Sequence, residues 1–152
     1  MISKNPGTAL PIILLIEDNL AHAELVFRSF EDHEIINQIY HVADGEAALD
    51  YLFRRGAFVQ PERSPRPHII LLDLRLPKVD GLEVLKKIKS SPEISKIPVV
   101  ILTTSSAEQD VTRAYKEHAN SYLVKPVDFE KFAKLMDDLT LYWLGWNYYP
   151  WW

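Results

Sequence analysis

Three stretches of this 152-residue chain, IILLI at residues 12–16, IILL at 69–72 and VVIL at 99–102, are apolar at every position. Runs of four or five residues are too short for a buried helix, and they lack the alternation of a strand with one wet face. They read as strands covered on both sides, the situation of a parallel sheet between layers of helices.

Strands are expected over residues 12–16, 35–42, 68–72, 98–102 and 121–124, with amphipathic segments between them. Asn19 can cap a helix running to about Asp32, with Ala23, Val26, Phe27 and Phe30 on one face. Asp44 can cap a second, with Ala47, Ala48, Tyr51 and Leu52 inward. Residues 81–90 space Leu82, Leu85 and Ile88 as a helix does, and residues 106–117 do so for Val111, Ala114 and Tyr115. Asp128 opens the last helix, with Phe129, Phe132, Leu135, Met136 and Leu139 as its apolar stripe. Five strand–helix repeats joined by short links predict right-handed crossovers and a three-layer α/β domain. The expected fold is flavodoxin-like, (βα)5, a doubly wound parallel sheet of strand order 2-1-3-4-5.

No glycine-rich phosphate loop follows the first strand; Glu17-Asp18 does. In such sheets the site forms at the carboxyl ends of the strands. Those ends carry Glu17 and Asp18 (strand 1), Asp73 (strand 3), Thr103 (strand 4) and Lys125 (strand 5). Any one of them alone is an ordinary loop charge or cap; all five at successive strand ends form a constellation. Three carboxylates packed together repel one another unless a cation joins them, and an all-oxygen set suits Mg²⁺ or Mn²⁺. An ammonium and a hydroxyl opposite them suit a phosphoryl group. The chemistry pointed to is phosphorylation of an aspartate.

These residues resemble the receiver domains of two-component response regulators. The resemblance is carried by Glu17-Asp18, LLDLRLPKVDG (71–81), VVILTTS (99–105) and YLVKP (122–126), and covers roughly residues 10–144. The TTS segment, the proline-rich connector at 56–67 and the long last helix look more like the small regulators that partner phytochrome histidine kinases. By that resemblance Asp73 is the phosphoacceptor, served by a kinase phosphohistidine. Glu17, Asp18, Asp73 and the main-chain carbonyl of Arg75 are the implied Mg²⁺ (or Mn²⁺) ligands. Thr103 is the implied switch hydroxyl, Lys125 the ammonium that pairs with the phosphoryl group, and Tyr122 an aromatic switch. The Lys125-Pro126 junction resembles one often found as a cis peptide. Arg75, Thr104 and Ser105 depart from the common pattern, which predicts slow autodephosphorylation.

The whole chain, 1–152, reads as a single receiver domain with an aromatic extension at 145–152 (GWNYYPWW). All four tryptophans (Trp143, Trp146, Trp151, Trp152) fall in the last ten residues, beside Tyr142, Tyr148 and Tyr149. Such a cluster is expected either to fold back or to be covered by a partner. The expectation favours an interface, either kinase docking or a homodimer; the surface of helix 4, strand 5 and helix 5 is a second dimer candidate. The net charge of −4 argues against a broad nucleic-acid footprint. The absence of cysteine excludes disulfides and thiolate metal sites. His22, His33, His41, His68 and His118 show no ligand spacing. No signal peptide or membrane helix is read, and a cytoplasmic location is expected. The chain is read as a signalling switch rather than a metabolic enzyme. The alternative is a small Mg²⁺-dependent phosphotransferase or phosphatase working through an aspartyl phosphate, for which Arg75 stands where a second acid is usual.

Overall fold

A computed structural model describes residues 10–32 and 37–149. Ten elements alternate: β1 (Ile12–Ile16), α1 (Leu20–Glu31), β2 (Gln38–Val42), α2 (Gly45–Phe53), β3 (Ile69–Leu72), α3 (Gly81–Ser90), β4 (Val99–Thr103), α4 (Glu108–Lys116), β5 (Ser121–Val124) and α5 (Phe129–Thr140). The strands form one parallel sheet in the order β2-β1-β3-β4-β5. This is the flavodoxin-like arrangement expected from the order of elements. The part of the second expected strand at Ile35 and Ile36 lies outside the described residues, as do His33, Pro150, Trp151 and Trp152.

The unbroken apolar runs have a direct explanation. Ile13, Leu15, Ile69, Leu71, Val100 and Leu102 point to one face, where Val26, Phe30, Phe132 and Met136 from α1 and α5 cover them. Leu14, Ile16, Ile70, Leu72 and Ile101 point to the other, beneath Tyr51, Leu52, Val84, Leu85, Ile88 and Ala114. Successive side chains alternate between two dry faces, so every position must be apolar.

Helix starts follow their caps. The side chains of Asn19, Asp44, Asp80 and Asp128 accept main-chain N–H bonds at the first turns of α1, α2, α3 and α5. α4 differs from expectation: it begins at Glu108, with no side-chain cap, and Ser106 stays outside it. The hydroxyl of Ser105 does the local bonding instead, accepting from the N–H of Ala107 at 3.3 Å. Two residues expected inward face solvent: Tyr115 on α4 is 51% exposed and Phe129 on α5 is 66% exposed. Each sits at an end of its helix's apolar stripe, where the neighbouring element no longer covers it.

The connector at 56–67 is ordered by two short 3-10 turns (Gly56–Phe58 and Pro61–Arg63). The Tyr51 hydroxyl donates to the Pro65 carbonyl at 2.7 Å, holding the connector against α2. After α5 the chain continues as a π-helical segment, Leu141–Trp146. Part of the aromatic tail folds back: Leu144 is buried, and the Tyr149 ring packs at a tilt on His68 with centroids 4.8 Å apart. The Tyr149 hydroxyl donates to the Trp143 carbonyl at 3.2 Å. Trp146 and Tyr148 remain outward, at 70% and 68% exposure. Among the described residues no helix is long and apolar enough to cross a membrane.

Candidate functional site

The parallel register brings the five predicted residues to one edge. Ile16 is level with Leu72, and Leu72 with Ile101, so the residues just past β1 and β3 emerge side by side. Main-chain bonds pin them there. Asp73 N–H donates to the Ile16 carbonyl at 3.1 Å, and Lys125 N–H to the Thr103 carbonyl at 2.6 Å. α3 presses on the end of β3 from one side. A Cβ added to Gly81 would lie 2.4 Å from the Asp73 carbonyl oxygen and 2.5 Å from the Leu74 Cα, so only glycine fits.

Glu17, Asp18 and Asp73 each place one carboxylate oxygen within 4.8 Å of the others. Glu17 and Asp73 are buried, whereas Asp18 is exposed at the mouth. Lys125 is buried with them, and its ammonium meets Glu17 Oε1, Asp73 Oδ2 at 3.1 Å and His22 Nδ1 at 3.0 Å. An ammonium has three N–H groups and only donates, so its capacity is filled and Nδ1 of His22 must be the acceptor. His22 is therefore neutral, with its proton on Nε2.

The electrostatics follow from burial. Desolvation pushes the Glu17 carboxyl up from 4.5 to about 7, with the Lys125 ammonium offsetting part of the rise. Burial, then the Lys125 charge, holds His22 below its usual range. Glu17 is further held by the Asn19 N–H, which donates to Oε2 at 3.1 Å, and its own carbonyl meets His41 Nε2 at 2.7 Å. The donor chemistry fits a hard divalent cation: three carboxylates at hand, no nitrogen or sulfur among them, and one ligand open to solvent.

Thr103 is fully buried, and its Oγ1 accepts from the Ser105 N–H at 3.4 Å. Thr104, next to it, is exposed. Tyr122 is half-buried against the core beneath α3 and α4, and its hydroxyl donates to the Ser105 carbonyl at 2.9 Å. Burial pushes the Tyr122 phenol up. The Arg75 N–H donates to Asp73 Oδ1 at 3.2 Å, but its guanidinium turns sideways to Asp110 Oδ2 at 2.6 Å. No cis peptide bond occurs among the described residues, so the Lys125-Pro126 bond is trans, contrary to the resemblance.

Two members of the site were not predicted. His22 lies in the first turn of α1 and meets Lys125 from 103 residues away, a contact that no local spacing signals. Asp110 is an acid in the first turn of α4, and nothing local in the sequence distinguishes it.

Residues 13–137 match the family described as the response regulator receiver domain. The probable methanogenesis regulatory protein FilR2 of Methanothrix harundinacea is 51% identical over 140 residues, covering 91% of this chain and 87% of that protein. The response regulator Rcp1 of Synechocystis is 42% identical over 133 residues, covering 88% of each chain. Its Mn²⁺-bound crystal structure superposes with a TM-score of 0.88, covering 92% of this chain and 99% of that one. The phosphorylated cyanobacterial phytochrome response regulator RcpA also gives a TM-score of 0.88, at 36% identity, covering 93% of this chain and 99% of that one.

Proposed function

The chain belongs to the response regulator receiver domain family, and on that premise we propose that Asp73 is the phosphoacceptor of a signalling switch served by a histidine kinase. A carboxylate oxygen of Asp73 forms the new bond to phosphorus. The bond from phosphorus to the kinase histidine nitrogen breaks, and the imidazole leaves with its electron pair. The observation that carries this reading is the meeting of Glu17, Asp18, Asp73 and Lys125 at one sheet edge.

Glu17, Asp18, Asp73 and the Arg75 carbonyl would hold Mg²⁺ or Mn²⁺, whose charge would offset the repulsion between acceptor carboxylate and phosphoryl oxygens. Lys125 already faces the acceptor and exchanges a carboxylate or imidazole contact for a phosphoryl oxygen. Thr103, one strand away, donates its hydroxyl to another oxygen. The added charge of about −1.5 to −2 then shifts a pre-existing conformational equilibrium. Treatment with a small phosphodonor and Mg²⁺ tests this by intact mass. A gain of about 80 Da, one phosphoryl group, is expected in the wild type and absent in Asp73→Ala. No gain in the wild type would sink the reading.

The similarity to the cyanobacterial phytochrome response regulator RcpA supports a phytochrome-type kinase as donor. The similarity to FilR2 favours a second reading, in which the same chemistry answers a kinase of another sensory class. Comparing phosphotransfer rates from purified kinases of both kinds separates the two. The chain 1–152 is read as one receiver unit that signals by association. The outward Trp146 and Tyr148, with Tyr142, are the surface that supports a homodimer or kinase contact through the tail. The face of α4, β5 and α5 is the other candidate. Deleting residues 145–152 and measuring mass in solution, with and without phosphodonor, distinguishes them: a dimer that survives deletion uses the helical face. Nothing in the site favours a phosphatase acting on small substrates, since Arg75 occupies the second-acid position and is committed to Asp110.

A further inference from the structure

We infer that Asp110 is a positioning residue that latches the resting state of the switch, and that phosphorylation opens the latch by drawing Arg75 away from it. The inference rests on Asp73 being the phosphoacceptor and names the device that transmits its charge to α4.

Asp110 sits in the first turn of α4 and is 6% exposed. A carboxylate this buried needs compensation. A single oxygen, Oδ2, receives both of its side-chain bonds: from Arg75 Nη2 at 2.6 Å and from the Ser105 hydroxyl at 2.5 Å. Ser105 in turn holds two groups. Its N–H donates to Thr103 Oγ1 at 3.4 Å, and its carbonyl accepts from the Tyr122 hydroxyl at 2.9 Å. Through Ser105, the buried threonine, the loop before α4 and the aromatic ring on β5 are therefore all linked to one carboxylate.

The other end of the chain of contacts is Asp73 itself. Arg75 is two residues beyond it, and its N–H donates to Asp73 Oδ1 at 3.2 Å. The Arg75 side chain is 61% exposed, so it can swing, whereas the Asp110 side chain, 9% exposed, cannot follow it into water without moving α4 or its leading loop. A phosphoryl group on Asp73 offers the guanidinium an anion of greater charge and three acceptor oxygens. When Arg75 turns to it, Asp110 is left buried with hydroxyl partnership alone. The cost of an uncompensated buried carboxylate then favours release of Ser105. Release frees Thr103 Oγ1 from the Ser105 N–H and removes the carbonyl that holds Tyr122. The bistable element is the loop of residues 104–107 with the first turn of α4, biased by Asp73 through Arg75.

Beryllofluoride with Mg²⁺, a phosphoryl mimic, and amide NMR spectra test the latch. In unliganded Asp110→Asn, the amides of Thr103, Thr104, Ser105 and Tyr122 are expected to move toward their beryllofluoride-bound wild-type positions. Its affinity for beryllofluoride is expected to rise about fivefold or more. Arg75→Gln, a change at an exposed side chain that leaves the core intact, is expected to move the same amides the same way. The double variant should move them no further, because both changes open one latch. Unmoved amides, an unchanged Asp110→Asn affinity, or additive shifts would overturn the inference. If the wild type binds no beryllofluoride, the Asp73 reading falls and the latch with it. If the wild type binds and Asp110→Asn behaves identically, only the latch falls.

Discussion

The ammonium of Lys125 donates to Nδ1 of His22 at 3.0 Å, which holds the imidazole neutral at the edge of an acidic site. Its folded pKa lies below 6.5, lowered by burial and then by the Lys125 charge. Below 6.5 the unfolded chain takes up a proton at this residue that the folded chain refuses. The His22 contribution to stability is therefore complete above that pH and declines as the pH falls toward the folded value. Urea unfolding of wild type and His22→Ala across about pH 5 to 8 is expected to show a stability difference that shifts against the wild type at acid pH. A pH-independent difference would exclude the neutral-imidazole contact.

Glu17 titrates in the opposite sense. Its folded pKa, about 7 against 4.5 when unfolded, gives stability that is complete below 4.5 and lost as the pH rises through 7. A divalent cation needs the ionised carboxylate, so its affinity rises through the same window and levels above it. Mg²⁺ should raise Tm more at about pH 8 than at about pH 6. Glu17→Gln should abolish the pH dependence of that increment.

Lys125 is the only cation in contact with two buried carboxylates among the described residues. Lys125→Met fills the same volume but leaves Glu17 and Asp73 without it. A loss of about 3 kcal/mol is expected, at the low end for a broken buried pair because Glu17 protonates readily. Chemical denaturation without metal measures it, and Mg²⁺ should restore part of the loss.

At Gly81 a methyl group would collide with main-chain atoms of Asp73 and Leu74, which cannot rotate away. Gly81→Ala should cost about 2 kcal/mol and slow phosphorylation by shifting Asp73. Unchanged stability and rate would mean that α3 can retreat from the strand.

Arg75, two residues past Asp73 and 61% exposed at its side chain, would stand between an acyl phosphate and water once it turned to the phosphoryl group. Arg75→Asn is expected to shorten the phosphorylated lifetime several-fold, about 1 kcal/mol in barrier, read by loss of the phosphorylated mass over time. An equal or longer lifetime in Arg75→Asn would remove the shielding role.

Much of this site was legible without coordinates, and the reason is main-chain geometry. Glu17, Asp18, Asp73, Thr103 and Lys125 follow or end apolar strands whose parallel register is dictated by two dry faces. Once the strand order follows from five alternating repeats, those residues must share an edge. The helix starts at Asn19, Asp44 and Asp128 were equally legible, because capping is a local bond between a side chain and the next turn.

Tertiary structure decided which side chains meet across elements. His22 reaches Lys125 from 103 residues away, and Arg75 reaches Asp110 from 35 residues away. Both contacts depend on how α1 and α4 are rotated against the sheet. Such rotation is set by packing as a whole, so no local pattern announces it. The same holds for Tyr115 and Phe129, apolar residues at helical spacing that the packed helices leave in water, and for Tyr149, which folds back onto His68. The sequence by itself determined the sheet and the acidic edge with Asp73 at its centre. Only the packed structure decided that Lys125 is shared with His22 and that Arg75 is tied to α4, because those bonds join surfaces that exist only after the layers close.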